Sequence, residues 1–269
     1  MRSLRLFAAL AAIVAVAPAA GAQERSTDDS FKYTGGIAAG RTVFVRNLNG
    51  AIRVESASGS EVEVRAEKRW RRGDPKSVRI TAEKTSGGDI LVCAIWEGRN
   101  TRCDEEGYSS HSNDRWFDRD RDNDVSVEFT IRLPKGVRMD ASSVNGGLSI
   151  DGATAQVRAR TVNGSIEASS TSGPVSAKTV NGGIRVTAGT IGDGPVEYET
   201  INGGITLDLP EGLNADIEMR TVNGSVTSED FPITVQGRFD RRRISGKIGK
   251  GGPEMRVATV NGSIRLRRR

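Results

Sequence analysis

Thr161-Val162-Asn163-Gly164-Ser165-Ile166 returns as Thr179-Val180-Asn181-Gly182-Gly183-Ile184, as Thr200-Ile201-Asn202-Gly203-Gly204-Ile205 and as Thr259-Val260-Asn261-Gly262-Ser263-Ile264. Ahead of each turn apolar and polar residues alternate, as in Val157-Arg158-Ala159-Arg160 and Val175-Ser176-Ala177-Lys178. The alternation resumes afterwards, in Ile184-Arg185-Val186 and Ile205-Thr206-Leu207. A period of two marks strands with one buried face. Asn-Gly stands at Asn49-Gly50, Asn145-Gly146, Asn163-Gly164, Asn181-Gly182, Asn202-Gly203, Asn223-Gly224 and Asn261-Gly262, which takes seven of the twelve asparagines. These are placed residues, not background composition. From Asn145 onward the spacings are 18, 18, 21, 21 and 38 residues. The last gap is two periods, and Arg243-Ile244-Ser245-Gly246-Lys247-Ile248 reads as the missing copy, with Ser245-Gly246 at its turn.

Asn and Gly suit such turns because both tolerate positive φ. Pro and Gly mark the opposite corner, as in Ser172-Gly173-Pro174, Gly192-Asp193-Gly194-Pro195 and Leu209-Pro210-Glu211-Gly212. A meander of hairpins and a β-solenoid both satisfy the pattern. Fixed periodicity selects the solenoid, because stacked coils repeat one corner at one place whereas sandwiches vary their turns. The expected fold is all-β: a single-stranded β-solenoid of 18–21-residue repeats with an irregular N-terminal β cap. The asparagines would then form an amide ladder up the stack. Seven coils at a strand spacing of about 4.8 Å give a rod on the order of 35 Å long. One coil buries too few aliphatic side chains to offset its ordering entropy, so stability should be collective and the ends capped.

The expected organisation is a signal peptide over 1–22, a flexible polar N-terminus over 23–40, an N-terminal β region over 41–140 and the repeat solenoid over 141–269. Arg2 and Arg5, an apolar run from Leu6 to Pro18 and Ala20-Gly21-Ala22 form the secretory signal. Export to the periplasm, the cell surface or the medium follows, with no transmembrane segment in the mature chain. The N-terminal region alternates at Val62, Val64 and Ala66, at Val78, Ile80 and Ala82, and from Val125 to Leu133. Residues 98–124 are polar and charged, with Trp116-Phe117 their one apolar pair, and read as an exposed loop.

Formal charge is +5, and Arg2 and Arg5 leave with the signal. This mixed balance argues against a nucleic-acid partner. In an oxidising compartment Cys93 and Cys103 predict a disulfide. With His111 the only histidine, the cysteines lack the ligands for a zinc site. Asp118-Arg119-Asp120-Arg121-Asp122-Asn123-Asp124 starts like a calcium loop, but Asn123 replaces the turn glycine and Phe129 stands at the bidentate-glutamate position. Glu167, Glu197, Glu199, Asp208 and Glu218 are the carboxylates that a polysaccharide-cleaving face would need, at spacings that equally suit solvated strand positions. Asn163, Asn223 and Asn261 sit in Asn-Gly-Ser, a sequon that turn geometry already explains. Arg241-Arg242-Arg243 and Arg267-Arg268-Arg269 read as solvated ends that discourage aggregation, the alternative being contact with an acidic partner such as anionic glycan or lipid head groups. No catalytic, cofactor-binding or metal-binding set emerges from these residues.

The Thr-Val-Asn-Gly-Ser-Ile and Thr-Val-Asn-Gly-Gly-Ile units, with the Leu133-Pro134-Lys135-Gly136 step before them, resemble a bacterial β-strand-repeat family of unknown function with an adhesin label. The likeness is to the DUF4097 type, related to adhesin head-domain solenoids, and runs from about Arg41 to the C-terminus. It implies an envelope or extracellular solenoid with no known cofactor and no established catalytic residues. The expected function is an adhesin-like binding or structural module whose partner is an envelope glycan, protein or peptide. The alternatives are an envelope-stress sensor or antimicrobial-peptide binder acting through loop 104–124, and a polysaccharide-acting solenoid enzyme.

Overall fold

A computed structural model describes residues 23–27, 29–96, 100–111, 123–228, 231, 233–235, 240 and 242–269. The expected signal segment, Trp116-Phe117 and the start of the calcium-like stretch lie outside these residues. The first strands are β1 (Gln23–Ser26), β2 (Ser30–Gly36), β3 (Thr42–Arg46), β4 (Ile52–Ser56) and β5 (Glu61–Arg69). Next come β6 (Val78–Lys84), β7 (Ile90–Trp96), β8 (Asn100–Cys103), β9 (Tyr108–His111) and β10 (Ser126–Leu133). The repeats supply β11 (Arg138–Asn145), β12 (Leu148–Ala153), β13 (Val157–Asn163), β14 (Ile166–Ser170), β15 (Val175–Lys178), β16 (Ile184–Ala188), β17 (Val196–Asn202) and β18 (Ile205–Leu209). The chain ends in β19 (Ala215–Asn223), β20 (Val226–Ser228), β21 (Ile233–Val235), β22 (Arg243–Ile248), β23 (Glu254–Asn261) and β24 (Ile264–Arg268).

Each coil gives one strand to each of two large sheets. Parallel pairing runs β10-β4-β12-β14-β16-β18-β24-β20 in the first sheet. The second sheet runs β7-β3-β11-β13-β15-β17-β23-β19. Antiparallel strands flank this stack. They are β5, β2 and β1 beyond β10, β6 beyond β7, and β22 and β21 beyond β19. The fold is therefore a β-solenoid, and its N-terminal cap belongs to the same two sheets.

Inward residues of both sheets form one core cluster, small in the repeats and larger near the N-terminal end at Phe31, Tyr33, Trp96 and Phe129. Tyr198 is the bulky exception among the repeats, lying in register with Ala177 on one side and Val257 on the other. Its hydroxyl is buried with no hydrogen-bond partner among the described residues, and burial pushes its pKa up.

The Asn-Gly corners set the register. Asn163 Nδ2 donates to Asn145 Oδ1 at 2.8 Å, Asn181 to Asn163 at 2.7 Å and Asn202 to Asn181 at 2.8 Å. Asn261 then donates to Asn202, and Asn223 to Asn261, each at 2.8 Å. The buried threonines make a second ladder. Thr161, Thr179, Thr200, Thr259 and Thr221 each donate Oγ1 to a turn-glycine carbonyl of the neighbouring coil at 2.8–2.9 Å. Ser143 does the same toward Gly50 at 3.1 Å.

Positive φ explains little of the glycine requirement. Among the turn glycines φ is +117° at Gly50 and +159° at Gly262, the second nearly extended. The requirement is close approach. A Cβ at Gly164, Gly182 or Gly203 would stand 2.0–2.2 Å from the carbonyl oxygen of the glycine one coil away. The following position is roomier, 3.4 Å from the nearest carbonyl at Gly147 and Gly183, and there serine alternates with glycine.

Several expectations are corrected. Ser245-Gly246 is not a turn: both lie inside β22, which runs antiparallel to β19 with Gly246 opposite Ile217. Alternation around a Ser-Gly pair marks a strand as readily as a corner, and Gly246 is kept by contact with Ile233 and Thr234. Coils do not stack in chain order, because β23 and β24 enter between the Asn202 and Asn223 coils. Residues 23–40 are not a flexible tail, since β1 and β2 occupy much of them and Phe31 and Tyr33 are buried. Part of the 98–124 loop is the β8–β9 hairpin.

Gly182→Ala should destabilise the chain by at least about 2 kcal/mol in urea unfolding, as overpacking against a backbone carbonyl does. Gly183→Ala, one residue on, should stay within about 0.5 kcal/mol of the native chain. Equal effects would contradict the close-approach account.

Candidate ligand-binding face

Alternation turns one residue outward just before each ladder asparagine. Register aligns Val144, Val162, Val180, Ile201, Val260 and Val222 in a column across the second sheet, beside the amide ladder. Val162 is 39% exposed, Ile201 45%, Val260 38% and Val222 56%. On the first sheet the outward positions are polar, with Ser149, Glu167, Arg185, Thr206 and Arg265 in register. The two faces are chemically unlike.

Further from the corner the second sheet carries charge. Arg160, Lys178 and Glu199 stand in one row, and Asp140, Arg158 and Ser176 in the next. A depression of about 600 Å³ holds Val180, Ile201, Val222, Val260 and Arg220. A second, of about 450 Å³, holds Arg158, Ser176, Pro195, Glu197 and Arg256. Arg160 and Lys178 line both, which makes one groove.

Every carboxylate on this groove and its margin has a cation. Lys178 meets Glu197 at 2.6 Å and Glu199 at 3.2 Å. Arg160 meets Asp140, Arg256 meets Glu254 and Arg243 meets Glu218, at 2.7–3.0 Å. The hydrogen bond from Lys178 holds the Glu197 carboxyl below its ordinary range. Arg158 and Arg220 have no ion-pair partner among the described residues.

The N-terminal end of this face is covered. Arg46, wholly buried in β3, donates to Asp140 Oδ1 at 2.8 Å and to the Asp140 carbonyl at 2.9 Å. It also reaches the carbonyls of Asp104 and Glu105 in the β8–β9 turn, and lies 5.2 Å from the centre of the Phe44 ring. Burial lowers its pKa, and the Asp140 charge opposes that fall. The Cys93–Cys103 disulfide, with a Cα–Cα distance of 6.3 Å, ties the same hairpin to β7. A covalent bond and a buried guanidinium thus hold one hairpin onto one sheet face.

The five candidate acids are divided. Glu167 and Asp208 belong to the first sheet, and Glu197, Glu199 and Glu218 to the second. Among the described residues no group of three or more His, Cys, Asp or Glu side chains is placed to hold a metal ion. Asp124 is committed elsewhere. Its carboxylate accepts from the backbone N–H groups of Gly73 at 2.9 Å and of Arg71 and Arg72 at 3.1 Å, in the loop that follows the 41%-exposed Trp70. Those bonds, Gly73's first, hold its pKa below the ordinary value. His111 closes β9. Of the basic clusters, Arg243 pairs with Glu218 and Arg268 with Glu211, whereas Arg241 lies outside the described residues. The threonine ladder, the aliphatic column and Arg46 escaped sequence reasoning. The first two were present as recurring positions of the repeat, with Ser143 and Ile201 as the departures, while Arg46 carries no local signal.

A stack of coils with an amide rail, an aliphatic column and a charged groove defines a β-solenoid. The chain belongs to the Toastrack DUF4097 family, whose family model matches residues 123–267. Among solved structures, a "putative cell adhesion protein" from Clostridium sporogenes ATCC 15579 is similar at 11% identity and TM-score 0.48, over 92% of this chain and 100% of that one. A "putative adhesin" from Bacteroides fragilis NCTC 9343 is similar at 9% identity and TM-score 0.38, over 90% and 98% respectively. No curated protein matches the chain. Among the described residues no helix is long and apolar enough to cross a membrane.

Arg46→Ala should cost about 3 kcal/mol or more of unfolding free energy, because a buried charge pair loses one partner. Arg46→Met combined with Asp140→Leu should recover part of that loss; a double variant as unstable as the two single losses summed would contradict the pairing account. Asp124 offers a pH readout. Its folded pKa lies below that of the unfolded chain, so its clamp is complete above about pH 4 and is lost as pH falls through the depressed value. The amide proton shifts of Arg71, Arg72 and Gly73 should titrate together there by NMR, and should show no such step in Asp124→Asn.

Proposed function

We propose that this chain is an exported, non-catalytic binding and structural module of the cell envelope or its exterior. The periodic face of the second sheet carries this reading. A column of exposed aliphatic side chains, repeated coil after coil, is a contact surface and has no part in the core. Exposed apolar patches with polar margins mark interaction sites. Family membership supplies the Toastrack fold, and fold alone does not define a ligand.

Export is supported by the N-terminal signal pattern and by the disulfide, which suits an oxidising compartment. The non-catalytic reading is supported by the division of the acids between two faces and by the cations that hold those of the groove. Arg158 and Arg220 apart, the ion pairs of this face tie its charged side chains to one another, as a contact surface of fixed shape requires.

A photocrosslinking pull-down from the producing cell's envelope fraction tests the reading. The native chain should enrich a defined component that a variant carrying Ile201→Arg and Val222→Arg does not. Recovery of nothing, or the same recovery by both chains, would sink it.

A further inference from the structure

The groove has the chemistry of a particular kind of polymer. The carboxylates that line it, Glu197, Glu199 and Glu254, are ion-paired to Lys178 and Arg256, and the lining cations Arg158, Arg160, Lys178, Arg220 and Arg256 outnumber them. Two guanidiniums remain unpaired among the described residues, Arg158 on β13 and Arg220 on β19, and each lines one half of the groove. β15, β17 and β23 lie between those strands, so the two charges stand about 19 Å apart along the stack. Excess positive charge distributed along a groove complements an extended anion.

The rest of the face says what kind of anion. The interior ladder asparagines, Asn163, Asn181, Asn202 and Asn261, each spend one N–H and one oxygen lone pair on their neighbours, which leaves a donor and an acceptor at every interior rung. Next to them lies the column Val162, Val180, Ile201, Val260 and Val222. A hydroxyl-bearing chain with C–H faces uses both rows. An acidic peptide does not: strand addition requires an exposed sheet edge, and this column crosses the middle of the sheet. Nor, among the described residues, does the face carry the exposed aromatic rings on which single-stranded nucleic acid stacks.

We infer that the groove of the second sheet binds a linear, carboxylate-bearing polysaccharide laid along the stack, with Arg158 and Arg220 taking carboxylates and the aliphatic column meeting ring faces. This assignment rests on the binding-module reading and names its ligand class.

The test is equilibrium binding of the full chain to polygalacturonate, beside neutral dextran, poly-glutamate and single-stranded DNA of matched length. Polygalacturonate should bind best, and more weakly as salt rises. Arg158→Ala with Arg220→Ala should weaken binding at least tenfold. Ile201→Thr with Val222→Thr and Val260→Thr keeps β-branching and should weaken it similarly, with an unchanged thermal midpoint as the check on folding. Equal binding of dextran would overturn the carboxylate role, and equal binding of poly-glutamate or DNA would overturn the carbohydrate assignment. Absence of polygalacturonate binding, or indifference to both variant sets, would overturn the inference as a whole. Failure here while the envelope pull-down still recovers a component through this face removes the ligand class and leaves the module reading standing.

Discussion

The contact on which this fold depends is the approach of one turn glycine to the carbonyl of the glycine stacked next to it. No side chain fits between them: a Cβ at Gly182 would stand 2.1 Å from the Gly164 oxygen. Other features of the repeat follow from that approach. With corners so close, adjacent asparagine amides come within hydrogen-bonding reach, and the threonine hydroxyl two residues earlier meets the glycine carbonyl one coil away. That hydroxyl is buried, and without this acceptor it would be an unsatisfied polar group. Threonine, asparagine and glycine are thus three answers to one spacing.

Equivalence between rungs has a topological consequence. Asn202 accepts from Asn261 in the same way that Asn163 accepts from Asn181, so corner chemistry does not discriminate which coil sits on which. The chain uses this freedom once, where β23 and β24 enter beneath the Asn223 coil. Reversal of β22 makes the detour possible, placing an antiparallel strand on the far side of β19 and returning the chain through Gly249, Gly251 and Gly252 at positive φ. The same strand gives the stack an antiparallel terminus, as β5 and β6 do at the other end.

This degeneracy also limits what the sequence reveals. Strands, corners and the inward set were legible because a period of two and an eighteen-residue spacing are local signals. Coil order was not, since Thr-Val-Asn-Gly reads alike wherever it stacks. Ser245-Gly246 was misread because a strand residue chosen for small size imitates a turn residue chosen for the same property. Arg46 was illegible for a different reason: Asp140 is 94 residues away, and only the folded sheet makes them neighbours. The candidate face was half legible. From Val144 onward a β-branched residue stands just before each Asn-Gly, valine in five copies and Ile201 in the sixth, but their exposure depends on which side of the sheet faces the core.

That exposure is the feature the corner does not explain. Strand formation favours β-branched residues, yet it does not require apolar ones. Thr187, Thr206 and Thr227 occupy outward positions of the first sheet in equally regular strands. Threonine at Val162, Val180 or Val260 would keep the same backbone preference and leave a wetter surface. Nor does the core require these side chains, because Thr161 and Thr259 beside them already face inward and are buried. Neither backbone preference nor core packing explains the column, and that is why the proposed contact surface is placed on it. The polar first sheet, built from the same coils, serves as the internal control for that conclusion.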